Sequence, residues 1–306
     1  MDNCTSFIYS VYGLNIESQI EFNELILSND SPIDAFIIYG KIDEEIKKDL
    51  MNNRNVKPGM KESWVYVPNI AFFYIHDGRY IEVEICNSVS LDKVKSYLLG
   101  SIMGFLIYQK GILAIHGGAV VLDNKAAIIM GESGVGKSTL TEGLIRSGAK
   151  FLSDDISSVS FGNSIYINPG YPGRRLCKNV MEYYDYNLKY YKEIDLDYKI
   201  KYMISQEEIF VDKKVLLQAI FYLTVRDDIE KVEISEIKGT EKLEILFNNC
   251  YILNWFRFEG ITNEYMKKCI RVCKEVPIYK IVRPKDGFTV DNQIEVIKDK
   301  IFKYEG

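Results

Sequence analysis

The chain has 306 residues and a mass of 35.3 kDa, enough for one large domain or two ordinary ones. An apolar share of 47%, a charged share of 26% and a net charge of −5 exclude a disordered or fibrous chain and a generally basic nucleic-acid binder. With His76 and His116 as the only histidines, a multi-histidine metal site is excluded too.

Residues 1–90 predict a small β-rich or α+β domain. Short apolar runs at Ala35–Tyr39 and Ile70–Ile75 lie between turn signals such as Asn29-Asp30-Ser31-Pro32 and His76-Asp77-Gly78, and the latter closes a hairpin onto Tyr80–Ile85. Residues 91–306 predict an α/β domain. Ser90 can cap a helix whose apolar positions Leu91, Val94, Leu98, Ile102, Phe105 and Leu106 keep helical spacing until Gly111. Strands are expected at Ile112–Ile115, Ala119–Leu122 and Ala126–Met130, the last two turning at Asp123-Asn124. A helix from Ser138 to Ser147 and a strand at Lys150-Phe151-Leu152 follow. Further helices are expected near Val180–Tyr184, Thr240–Asn248, Thr262–Lys274 and Asp291–Phe302, with a strand at Ala219–Val225.

The start, Met1-Asp2-Asn3-Cys4, lacks the basic segment and apolar run of a secretory signal. The uncharged apolar stretch from Tyr97 to Gln109 is shorter than the ~20 residues of a membrane helix. Six cysteines form no Cys-x-x-Cys pair and read as free thiols. A reduced, cytoplasmic protein without membrane or nucleic-acid partners is therefore expected.

Gly131-Glu132-Ser133-Gly134-Val135-Gly136-Lys137-Ser138-Thr139 matches G-x-x-x-x-G-K-[ST] between an expected strand and an expected helix, the context a phosphate-binding loop requires. Its glycines let backbone N–H groups wrap a polyphosphate, Lys137 supplies a cation, Ser138 offers a hydroxyl to Mg²⁺, and the helix aims its positive end at the anion. Asp154-Asp155 closes the next strand, 17 positions beyond Lys137. Two carboxylates there can divide the work of holding a metal and accepting a proton. His116 lies in an apolar run, a setting common to hydrogen-bonded core histidines. Arginine is scarce, nine residues against 29 lysines, so the Arg174-Arg175 pair in the Pro/Gly-rich segment Asn168–Leu176 is either a phosphoryl clamp or a surface pair bridging acidic neighbours. Arg226 and Arg283, each after an apolar strand, are further candidates.

Together, His116-Gly117, the hairpin, the run 131–138 and Leu152-Ser153-Asp154-Asp155 resemble the catalytic domain of HPr kinase/phosphorylase, whose nucleotide fold is related to phosphoenolpyruvate carboxykinase. The resemblance implies a P-loop kinase using ATP and Mg²⁺. Gly131, Ser133, Gly134, Val135, Gly136, Lys137, Ser138 and Thr139 would bind nucleotide, and Ser138 and Asp155 the metal. Asp154 would be the catalytic base and His116 its orienting partner; Arg174 and Arg175 are candidates for stabilising the transferring group on the chemistry of the guanidinium alone. HPr kinases carry an acidic residue and then Arg-Gly-Leu-Gly where this chain has Asn168-Pro169-Gly170-Tyr171-Pro172-Gly173-Arg174-Arg175-Leu176. That segment is more similar to the kinases of ribosomal, lasso-type precursor peptides. The resemblance thus implies a serine kinase with a peptide or small-protein substrate, and leaves room for a homo-oligomer. An HPr-type regulator, a small-molecule kinase and a non-catalytic nucleotide-binding module are the alternatives.

Overall fold

The computed structural model describes residues 5–29, 32–196, 199–251 and 261–302 as a mixed α/β chain with three sheets. Cys4, and Asp30 and Ser31 of the expected turn, lie outside the described residues, and the five described cysteines are free. No helix among the described residues is long and apolar enough to cross a membrane.

The first sheet uses β1 (Phe7–Val11), β2 (Leu14–Ser18), β3 (Ile26–Leu27), β4 (Ala35–Tyr39), β5 (Val56–Lys57), β6 (Glu62–Val67), β7 (Ala71–His76) and β8 (Tyr80–Ile85), in the order β3-β1-β2-β4-β8-β7-β6-β5. Burial alternates along β2 and β6, as it must where one face packs inward. Helix α1 (Glu44–Asn52) covers part of the other face. Asp43 caps it by accepting from the Glu45 and Ile46 amides, and Leu50 packs with Ile42 and Phe72.

Helices α2 (Leu91–Tyr97) and α3 (Met103–Gln109) lead into β9 (Leu113–Leu122), β10 (Lys125–Gly131), β11 (Lys150–Ser153), β12 (Ile156–Phe161) and β13 (Ile165–Ile167). A three-stranded sheet of β14 (Gly173–Cys177), β15 (Lys192–Leu196) and β16 (Lys199–Ser205) follows, and β17 (Val215–Arg226), β18 (Glu233–Glu236) and β19 (Ile278–Pro284) return to the second sheet. Its order is β10-β9-β12-β13-β17-β19-β18, and β10 also pairs in parallel with β17, which joins five strands in a closed circuit of ladders. Helices α4 (Lys137–Arg146), α5 (Lys178–Tyr183), α6 (Gly239–Asn248), α7 (Asn263–Glu275) and α8 (Val290–Phe302) complete the described α-helices.

One apolar cluster runs from Tyr9 and Phe73 of the first sheet through Leu98 and Phe105 to Ile115 and Cys269 of the second part. A second cluster sets Leu140 and Leu144 of α4 and Ile297 of α8 against Ile129 and Phe221. Strand β10 is buried on both faces, as its unbroken apolar run requires.

Several expectations change. The helix expected to run from Leu91 until Gly111 is interrupted by a π-type turn at Leu98–Ile102, where Gly100 leaves helical geometry at φ −110°, ψ −112°. Ser90 makes no side-chain cap. The two strands expected at 112–115 and 119–122 are one strand, because Gly117 and Gly118 stay in the ladder opposite Met130 and Ile129. The turn at Asp123-Asn124 is as expected; both residues have positive φ, 48° and 59°, which suits the twist of a two-residue hairpin. The segment expected as a loop through Arg174-Arg175 ends in strand β14, recruited by pairing with β16.

Candidate active site

The glycine-rich loop joins β10 to α4. Gly136 sits just before the helix at φ 106°, a backbone region in which a side chain would be strained. The Lys137 ammonium curls back onto the loop and donates to the Gly131 and Glu132 carbonyls at 2.7 and 2.8 Å. Arg283 closes the far side, its Nε donating to the Val135 carbonyl at 2.9 Å. Arg226, by contrast, pairs with exposed Asp228 away from the loop.

The acidic pair lies beside this loop because of one break in a ladder. Strands β11 and β12 run consecutively along the same edge of β9, the first against Ala119–Val121 and the second against Leu113–His116. Asp154 and Asp155 span the gap, opposite Gly117 and Gly118. The Gly117 amide donates to the Asp155 carbonyl at 3.1 Å, and a Cβ at Gly118 would lie 2.9 Å from the Asp154 carbonyl and 3.4 Å from Thr141 Oγ1. Glycine at 118 thus lets the first turns of α4 approach the acidic pair.

The two arginines face opposite ways, as neighbours on a strand must. Arg174 is wholly buried and bonds to Glu142 of α4 at 2.7 Å, with a second donation to the Ser138 carbonyl at 3.3 Å. Glu142 is equally buried and also accepts from Arg146 and the Tyr186 hydroxyl, both at 2.7 Å. Arg175 turns to the acids. Its amide donates to Asp154 Oδ2, and its guanidinium to Asp155 Oδ2, both at 3.1 Å. The same guanidinium donates to the Ser96 carbonyl at 3.2 Å. The irregular turn also presents the Leu99 carbonyl to the Tyr12 hydroxyl at 3.0 Å. Tyr12 lies at the tip of the β1–β2 hairpin, where its amide donates to Pro169 and its carbonyl accepts from Ser158.

This arrangement pulls the two carboxyls apart. Burial, reinforced by the charge of Asp155, raises Asp154 above the usual aspartate range, and the nearby arginines only partly oppose this. Burial acts on Asp155 as well, but Arg175, then Lys201 and His116, overcome it and hold that carboxyl low. Asp155 keeps 33% of its side-chain surface exposed, so it stays open to a ligand. His116 sits on β9 beside Asp155, its ring 5.4 Å from Tyr251, and burial lowers its pKa against the pull of Asp155. The geometry thus brings together Lys137, His116, Asp154, Asp155 and Arg175, whereas the Arg174 guanidinium serves the interior of α4 and touches Ser138 through its carbonyl.

Lys201 was not singled out from the sequence. In the β14–β16 ladder Leu176 pairs with Tyr202 and Arg174 with Ile204, and Leu176, Tyr202 and Ile204 share an apolar cluster. Strand alternation therefore puts Lys201, paired with Cys177, on the face that carries Arg175, and its charge bears on His116, Asp154 and Asp155. No periodic signal marks it, since it follows directly from a register set between distant segments.

Among the described residues no group of three or more His, Cys, Asp or Glu side chains could hold a metal by itself. A single part-exposed carboxylate, Asp155, suits Mg²⁺, which commonly takes one or two carboxylates and completes its shell with phosphate and water.

The site belongs to the strand–glycine loop–helix class with an adjacent acidic pair. No family model matches the chain, and no curated protein matches it. Among solved structures it is similar to the HPr(Ser) kinase/phosphatase from Coxiella burnetii, at a TM-score of 0.33 and 14% identity, over 63% of this chain and 99% of that one.

Two outcomes are expected. Removing one partner of the buried ion pair, Glu142→Gln, should cost about 3–5 kcal/mol in denaturant unfolding, and Arg174→Met combined with Glu142→Leu should be more stable than that single variant. Lys201→Met should shift the carboxyl titrations of Asp154 and Asp155 to higher pH, because a cation favours the ionised form; Lys201→Arg should restore them. Carboxyl-carbon NMR titration reads both, and unchanged midpoints in Lys201→Met would remove Lys201 from the site.

Proposed function

We propose that the protein is an ATP- and Mg²⁺-dependent kinase that phosphorylates a serine hydroxyl in a peptide, of the kind found in ribosomal lasso-peptide precursors. The observation that carries this reading is the placement of a phosphate-type loop beside two adjacent carboxyls whose affinities for protons are driven in opposite directions. A general base and a metal ligand need that difference.

In this reading the amides of 131–138 and the Lys137 ammonium bind the polyphosphate. For Lys137 this means exchanging its two carbonyl partners for phosphate oxygens. Asp155 and the Ser138 hydroxyl would hold Mg²⁺, which supplies neutralisation of phosphate charge when bound. Asp154 receives the serine proton as the serine oxygen bonds to the γ-phosphorus and the bond to the leaving ADP oxygen breaks. Its raised proton affinity makes it a stronger base than an ordinary aspartate, while the Arg175 amide fixes its orientation. Arg175 supports both acids and His116 flanks Asp155. Arg174 acts at one remove, by fixing the backbone of Ser138.

Lys137→Ala should lose ATP affinity in calorimetry and abolish transfer. Asp154→Asn should keep ATP–Mg²⁺ affinity and slow transfer by roughly 10²–10⁴-fold. Mass spectrometry after incubating ATP with serine-containing precursor peptides or with HPr should place phosphate on a peptide serine. Labelling of HPr alone would overturn the peptide assignment, and wild-type ATP affinity in Lys137→Ala would overturn the loop assignment.

A further inference from the structure

A cavity of about 240 Å³ adjoins the outer side of the glycine-rich loop. Gly136 and Thr139 form one wall, and Arg283, Lys285, Phe288 and Gln293 line the other parts. It is smaller than the ~300–1,000 Å³ sites that enclose a drug-sized ligand, and suits one fused ring.

Two features mark it as more than a gap between elements. Phe288 is a large apolar side chain left 48% exposed, stacked on Tyr183 with ring centroids 3.6 Å apart and planes at 20°. Such a pair presents a flat apolar surface at the mouth. Gln293, on the first turns of α8, is 2% exposed. Its Nε2 donates to Thr289 Oγ1 at 3.0 Å, but its Oε1 has no partner. A buried amide oxygen without a donor is a standing cost that a ligand N–H would remove.

We propose that this cavity receives the nucleobase of the bound nucleotide and selects adenine, with Gln293 Oε1 accepting a hydrogen bond from the 6-amino group. This rests on the phosphate-loop reading above. In a loop of this type the lysine reaches the β- and γ-phosphates while the backbone cradles the α- and β-phosphates, so the nucleoside leaves on the side away from the γ-phosphate. The cavity adjoins Thr139, one residue past Ser138, and Arg283 holds the Val135 carbonyl between loop and cavity. With Nε2 held by Thr289 Oγ1, a purine with a 6-keto oxygen would set two acceptors against each other at Gln293. Oε1 is closed to water, so the pairing requires the exposed 285–289 segment to shift as the base enters.

The test measures affinities of ATP, ITP and inorganic tripolyphosphate for the full chain with Mg²⁺ by calorimetry. The wild type should prefer ATP to ITP by roughly 5–30-fold, the worth of one buried hydrogen bond and its unpaired alternative. Gln293→Leu should bring that ratio close to one and leave tripolyphosphate affinity unchanged. Phe288→Ala, at an exposed position, should weaken ATP and ITP together and spare tripolyphosphate, which keeps the test decisive if the Gln293 variant does not fold. Equal affinity of the wild type for ATP and ITP, or a preference that survives in Gln293→Leu, would overturn the proposal. Tripolyphosphate binding that persists in those cases would show that the base site alone has failed. Absence of binding by all three ligands would overturn the phosphate-loop reading, and this proposal with it.

Discussion

The buried pairing of Arg174 with Glu142 is the constraint on which the site depends. Both groups are withdrawn from water, and an ion pair so placed is tolerated only when each charge is well matched. Glu142 can lie in the buried middle of α4 because Arg174, Arg146 and Tyr186 surround it. Once Arg174 is anchored there, strand alternation turns Arg175 to the opposite side, towards the acids. Two consecutive residues thereby tie the helix that follows the glycine loop to the carboxyls beside it.

The same geometry explains how two adjacent aspartates acquire different characters. They occupy the gap where the chain passes from β11 to β12, and they share burial and mutual repulsion. What separates them is the asymmetry of Arg175, which gives its neutral amide to Asp154 and its charge to Asp155. A like-charge pair in a confined space cannot keep two ordinary proton affinities, and the arginine decides which member yields. On the other side the guanidinium packs against the irregular turn at Gly100, where a Cβ would lie in ordinary contact at 3.6 Å. Irregular helical turns of this kind are frequent at functional sites.

The loop and the acidic pair were legible in the sequence because each is a contiguous run whose chemistry follows from residue type and spacing. The mixed α/β character was legible from alternating strand and helix patterns. Arg175 was visible as a residue but not as a bridge to both acids, and Lys201 was not visible at all. Both roles arise from the register between β14 and β16, which no local pattern encodes. The π-type turn escaped notice because Leu98, Ile102 and Phe105 keep apolar spacing through it, and periodicity is insensitive to one irregular turn. Gln293 was hidden for a different reason: it reads as an ordinary polar position in a terminal helix, and only its missing partner distinguishes it.

The β1–β2 hairpin has a consequence for how the protein reaches its native state. Its tip residue Tyr12 bonds to Pro169 and Ser158, and the carbonyl that its hydroxyl meets belongs to the turn against which Arg175 lies. Ser158 and Tyr12 are 146 residues apart. During synthesis the hairpin must wait until those later segments emerge before the surroundings of the acidic pair can close. Contacts of such separation pay their loop-closure entropy early and are rewarded late, which slows folding. The tip of the hairpin is therefore made well before the segments that hold it in place.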